Sequence, residues 1–181
     1  MTRTTYYTAT TLDGFLADEH DSLDWLFVQD QDKDGAMNYD AFIATIGAMV
    51  MGATTYAWIG DHLRANAEKW SYDIPCFVFT HREFEPLGEG IHFVSGEPAN
   101  HRAAIVEAAG HRDTWMVGGG DLAAQFAEAG MLDQLMVSIA PVTLGAGRPL
   151  FPRPFDLRLT ELAQNGAFAC ARYDVVGPRT A

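Results

Sequence analysis

The segment Trp115-Met116-Val117-Gly118-Gly119-Gly120-Asp121-Leu122-Ala123-Ala124-Gln125-Phe126 constrains this chain more than any other. A short apolar run ends in three glycines, and helical periodicity through Leu122, Phe126 and Met131 follows at once, which predicts strand, tight turn, helix. Glycine opens backbone conformations closed to other residues and lets the main chain approach a ligand. The helix start that follows offers unpaired N–H groups and a positive dipole end. The combination suits a phosphate, although a plain strand-to-helix turn uses the same residues. The run also fits the loose pattern Gly-x-Gly-x-x-Gly/Ala, but that pattern belongs early in a βαβ unit, with an acidic residue about 20 positions later. Here it comes late and is followed by a meander, so the expectation is a nucleotide site outside a standard Rossmann domain.

A second strand-glycine-helix turn strengthens the first. Ala48 to Met51 reads as a buried strand, and Gly52-Ala53-Thr54-Thr55-Tyr56-Ala57-Trp58-Ile59 turns from it into a short helix whose hydroxyls and N–H groups suit a second phosphate or a simple Thr cap. Cys76 to Phe79 is a further strand with Thr80-His81-Arg82 at its carboxyl end, the edge where ligands sit in open α/β sheets. Arg82 is placed to reach a phosphate there.

Such a local arrangement is needed because the 181 residues carry a net charge of −12. That charge argues against nucleic-acid binding, and an anionic ligand must rely on backbone N–H groups and a few basic side chains. The length favours one domain over residues 1–181. Met1 to Tyr7 lacks the apolar core of a signal peptide, and no apolar run approaches the ~20 residues of a membrane helix, so a cytoplasmic protein away from membranes is expected. Cys76 and Cys170 match no metal or redox spacing, the histidines form no i,i+4 pair, and no metal site is indicated.

Taken in order, Thr4 to Leu12 reads as a strand and Asp13-Gly14 as a turn. Asp18 to Asp34 is acidic and irregular around an apolar island, Leu23 to Val28. Asp30-Gln31-Asp32-Lys33-Asp34-Gly35 echoes a calcium loop, but Ala41 stands where a closing Glu is needed, so a solvated loop is favoured. Tyr39, Phe42, Ile43 and Ile46 share a helical face, which Gly47 ends. Ile91 to Val94 is a strand and Arg102 to Ala109 a helix ended by Gly110. Met136 to Ala140, Leu157 to Ala163 and Ala167 to Val175 are strands, the last two joined around Asn165-Gly166 as a hairpin. The sheet should be mixed: parallel strands with helical crossovers first, antiparallel strands last.

Four segments in this order resemble the dihydrofolate reductase-like fold, a three-layer αβα arrangement. The branch is that of small bacterial proteins related to the reductase domain of riboflavin biosynthesis. The segments are Ala9 to Ala17 (ATTLDGFLA), Met51 to Tyr56 (MGATTY), Val117 to Leu122 (VGGGDL) and Pro141 to Phe151 (PVTLGAGRPLF). The resemblance implies an NADPH-dependent reductase acting on a flat heterocycle or ribosylated pyrimidine. It places Ala9 and Leu16 beside the nicotinamide; Gly52, Ala53, Thr54 and Thr55 at the pyrophosphate; and Val117, Gly118, Gly119, Gly120, Asp121 and Leu122 there as well. Thr80, His81 and Arg82 would meet the adenosine 2′-phosphate, and a cis peptide is implied at Gly118-Gly119.

Two departures stand out. Ala53 replaces a usual Arg, leaving any preference for NADPH to Arg82, and the carboxylate of the folate enzymes falls near Ala36. Asp24 and Asp40 are the candidate proton relays near that slot, and Thr11 and Trp25 the candidates to face the substrate, Trp25 as a lid or as a core anchor. The alternative is a nucleotide-binding module without turnover. The branch also implies a homodimer paired through the C-terminal strands.

Overall fold

Unbroken apolar runs belong in the middle of a parallel sheet, where helices cover both faces. The computed structural model describes residues 2–180 and places the runs there. The chain runs β1 (Thr4–Thr11), β2 (Phe15–Ala17), α1 (Asp24–Phe27), α2 (Tyr39–Ile43), β3 (Ile46–Gly52), α3 (Ala53–Ala65), β4 (Cys76–Phe79) and β5 (Ile91–Val94). It continues through α4 (Arg102–Ala109), β6 (Asp113–Gly118), α5 (Gly120–Glu128), β7 (Gln134–Ala140), β8 (Arg148–Pro149), β9 (Phe155–Asn165) and β10 (Phe168–Pro178). An 8-stranded sheet has the order β5-β4-β3-β6-β1-β7-β10-β9. Strands β5 through β7 are parallel, and β10 and β9 are antiparallel to what they join, so the sheet is mixed with its antiparallel strands last, as expected.

Alternation along the central strands separates two cores. Val50, Phe77, Phe79 and Met116 face α4 and α5, packing on Ile105, Leu122 and Phe126. Their neighbours Met49, Met51, Cys76, Val78 and Trp115 face α2 and α3, packing on Phe42 and Tyr56. The result is the expected three-layer αβα architecture. Side chains such as Phe126, fully buried, each contribute about 1.5–3 kcal/mol by removal from water.

Three local expectations are corrected. Gly47 does not stop a helix: α2 ends at Ile43, and Gly47 lies with Ile46 inside β3. The glycine is needed because a Cβ there would run into the Ala109 carbonyl at the end of α4. The final hairpin turns on Gly166-Ala167, one residue later than read, with Asn165 and Phe168 paired across it. Asn165 is held in the strand because its buried side chain has other work. It accepts from the Asp32 N–H at 2.9 Å and donates to the Ala36 carbonyl at 3.0 Å, which ties the acidic loop to the hairpin. Within the Pro141 to Pro152 connector, the short β8 pairs with β2, a pairing too brief for periodicity to reveal.

Candidate functional site

Two helices start side by side at the carboxyl edge of the sheet. Strands β3 and β6 are neighbours with Met51 opposite Gly118, so α3 and α5 leave the sheet together. Each has an extended glycine at its N-cap, Gly52 and Gly119, and neither start receives a side-chain cap. The first-turn N–H groups therefore need a partner from elsewhere.

The three glycines of the triplet are glycine for different reasons. Gly118 sits at φ 142°, and the Gly118-Gly119 peptide is cis, as the resemblance implies. A Cβ at Gly120 would collide with the Pro149 and Leu150 carbonyls. Gly119 has an ordinary φ of −81°, and its Cβ would meet nothing within 4 Å. Apart from its place in the cis peptide, no backbone dihedral or packing contact requires glycine there, and its absent side chain keeps the cleft floor open for a ligand. Gly52, at φ −88°, is similar: its Cβ would make only ordinary contacts at 3.8 Å. Two uncapped helix starts with open glycines fit an elongated polyanion such as a dinucleotide pyrophosphate.

The cleft has two arms. The smaller, about 320 Å³, runs from Gly52, Ala53, Thr54 and Thr55 past Leu122 to Thr80, His81, Ser95 and Gly96. The larger, about 930 Å³, shares Thr54, Thr55, Gly119 and Asp121 with it and extends between aromatic walls. Tyr7, Tyr39, Trp58, Trp115 and Phe27 contribute to those walls, with Ala9, Leu16, Leu26 and Ile59 between them. The walls are braced. Trp115 donates its ring N–H to the Tyr7 carbonyl at 3.0 Å, the Tyr7 ring stacks on Phe42 at 4.2 Å, and the Tyr7 hydroxyl donates to the Met37 carbonyl. Burial pushes the Tyr7 phenol up to about 12, and Tyr39 is raised as well, first by burial and then by its hydrogen bond with Tyr72.

Residues 103–171, which include the glycine triplet and α5, match the model of the RibD C-terminal domain. The chain is 29% identical over 150 residues to the uncharacterized protein YwjB of Bacillus subtilis, covering 82% of each. Its structure superposes with a TM-score of 0.79 on a Shewanella sp. PV-4 protein that bears a provisional riboflavin biosynthesis name, at 22% identity over 96% of this chain and 99% of that one. The dihydrofolate reductase of Enterococcus faecalis, solved with NADP(H), superposes at a TM-score of 0.56 with 15% identity, covering 96% of both. The fold is dihydrofolate reductase-like, and the segment 103–171 within it is similar to the RibD C-terminal domain.

Most of the cofactor candidates come together in the cleft. Ala9, Leu16, Val117, Gly118 and Gly120 line the larger arm, Gly52, Ala53, Thr80, His81 and Leu122 the smaller, and Thr54, Thr55, Gly119 and Asp121 both. Arg82 lines neither arm; its guanidinium lies 4.7 Å over the Phe84 ring, a cation–π contact that turns it away. Asp24 and Asp40 are exposed on the first turns of α1 and α2 and also line neither. Trp25 is a core anchor, packed with Ala140, Phe168 and Cys170. Thr11 is buried in the β1–β2 turn, where its hydroxyl donates to Asp13 at 2.5 Å and accepts from the Phe15 N–H at 3.0 Å.

Tyr7, Tyr39, Trp58, Trp115, Ser138 and Arg148 were not singled out from the sequence. Trp58 lies one helical turn beyond Thr54, on the same face, and that spacing was a usable signal. Ser138 was not foreseeable, since only the register that sets it beside Ala9 brings it to the cleft. Arg148 lies in the Pro141 to Phe151 segment, and only the β2–β8 pairing shows that it reaches the cleft.

Proposed function

We propose that the protein is an NADPH-dependent reductase that transfers hydride to a small flat heterocycle, within the RibD and dihydrofolate reductase-like family of oxidoreductases. The observation that carries this reading is the pair of uncapped helix starts at Gly52 and Gly119, opening on one cleft. NADPH bound there supplies a hydride, so that with one proton from the medium the substrate gains two electrons and two hydrogens.

The chain's part is to bind, orient and exclude water. The first-turn N–H groups of α3 and α5, with the Thr54 and Thr55 hydroxyls, hold the pyrophosphate. Thr80 and His81 meet the adenosine end, where the loss of Arg82 to Phe84 leaves discrimination between NADPH and NADH weak. Ala9 and Leu16 hold the nicotinamide side of the cleft against the aromatic arm, which takes the acceptor ring and screens it from water. The family resemblance supports a homodimer along β9, the sheet's edge strand, where Leu159 is 51% and Leu162 67% exposed. Light scattering at micromolar concentration should give twice the chain mass.

Titration with NADPH and then NADH, followed by tryptophan quenching and thermal shift, tests the cofactor half; saturable binding of NADPH is the expected result. A nucleotide-binding module without turnover is the second reading, favoured by the position of Asp24 and Asp40 outside the cleft. NADPH binding with no oxidation over a panel of pterins, pyrimidines, flavins and quinones would select it.

A further inference from the structure

The larger arm holds a distinctive set of charges. Among the described residues its ionic lining is Asp21, Asp121 and Arg148. Asp121 sits 2.8 Å from Arg153, outside the lining. Arg148, the one cation of the arm, is already clamped: its Nε donates to Asp21 Oδ1 at 2.6 Å and its Nη2 to Asp21 Oδ2 at 3.1 Å. Asp18 and Glu19 add to the negative field around it and help hold its proton. A two-bond carboxylate grip satisfies the guanidinium fork that a phosphate would otherwise take.

The segment beside the arm reinforces this. From Asp21 to Gln31 it turns Leu23, Leu26, Phe27, Gln29 and Gln31 toward the cleft, while Asp24 and Asp30 are exposed to solvent. Phe27 stacks on Trp58 at 6.4 Å and on His62 at 5.9 Å, which closes one side of the arm with rings. A flat uncharged ring gains from those walls, and an anionic tail meets carboxylates on approach and finds no free cation inside.

We infer that the ring-binding arm takes an uncharged, planar aromatic substrate and discriminates against the phosphorylated form of the same ring. This rests on the reductase reading for the arm's role in catalysis, but it is tested by binding alone.

Riboflavin and its 5′-phosphate, FMN, are a matched pair that differ only in the phosphate. Their affinities are measured by flavin and tryptophan quenching with saturating NADP⁺ to occupy the helix starts, or without it if NADP⁺ itself fails to bind. That failure would count against the cofactor reading and leave this one to be judged separately. Riboflavin should bind at least about tenfold more tightly than FMN. Asp21→Asn, which releases the Arg148 fork and removes a negative charge, should narrow that ratio by improving FMN. FMN binding as tightly as riboflavin, no binding of either, or an unchanged ratio in Asp21→Asn would each overturn the inference.

Discussion

The two arms of the cleft are built from different materials. The narrow arm is mostly main chain: two helix starts, open glycines and short hydroxyl side chains contributed by contiguous stretches, Gly52 to Thr55 and Gly119 to Leu122. The wide arm is mostly side chain, assembled from β1, β2, α1, α2, α3, β6, α5, β7, β8 and β10. Backbone N–H groups are the same in any sequence, so the narrow arm suits a ligand common to many reductases. Side chains are particular to each sequence, so under the proposed reading the wide arm is where substrate preference would be set.

If that division is right, the arms should be separable by mutation. Gly119→Ala places a methyl where only ligand would be, so NADPH affinity should fall about 100-fold, the scale of losing a pair of charge-assisted hydrogen bonds, with the melting temperature nearly unchanged. Gly120→Ala is the sharpening control. Its methyl meets the Pro149 and Leu150 carbonyls, so it should destabilise the fold by about 1–3 kcal/mol or more in denaturant melts. An equal loss of stability in both variants would remove the argument for a ligand at Gly119.

On the wide arm, Trp58→Ala should weaken riboflavin binding about tenfold and leave NADPH within a few-fold. A parallel loss of both ligands would mean that the arms are one site energetically. The turn beside the wide arm has its own signature. Asp13 accepts from the Thr11 hydroxyl and from the Leu144 and Gly145 N–H groups, and these bonds hold its carboxyl below the ordinary value of 3.8. Its contribution is therefore complete above that value and is lost as pH falls through the lower folded pKa. Melting temperature should drop on acidification from pH 5 to below 4, and Asp13→Asn should flatten that slope.

The smallest effect is expected at Arg82, whose guanidinium rests on Phe84. Arg82→Ala should change NADPH affinity less than about threefold and leave the NADPH-to-NADH ratio nearly as it was. A large, NADPH-specific loss would show that the side chain leaves Phe84 to take the 2′-phosphate.

The sheet was legible because parallel strands buried on both faces are written as unbroken apolar runs. Cys76 to Phe79 was read to the residue for that reason, and Arg102 to Ala109 because Gly110 marks a stop; Ile91 to Val94, an edge strand with His92 exposed, was read to the residue from its apolar residues alone. The narrow arm was legible because its contacts are local: each turn carries its glycine and its helix in one short stretch. Gly47 was misread because a glycine demanded by close packing looks the same in sequence as one that ends a helix. Trp25 and Arg82 illustrate the same limit for side chains. An aromatic in an acidic loop points to core or cleft depending on what packs beside it, and an arginine after a strand finds a phosphate or a phenyl ring according to its neighbours. The sequence by itself determined the order of the main strands and helices, though not the short β2, α1 and β8, and the two strand-glycine-helix turns, since these follow from patterns a few residues long. Only the tertiary structure decided what the wide arm is made of, because its wall joins Tyr7, Trp58, Trp115 and Arg148, residues far apart in the chain that meet through sheet order and through the β2–β8 pairing.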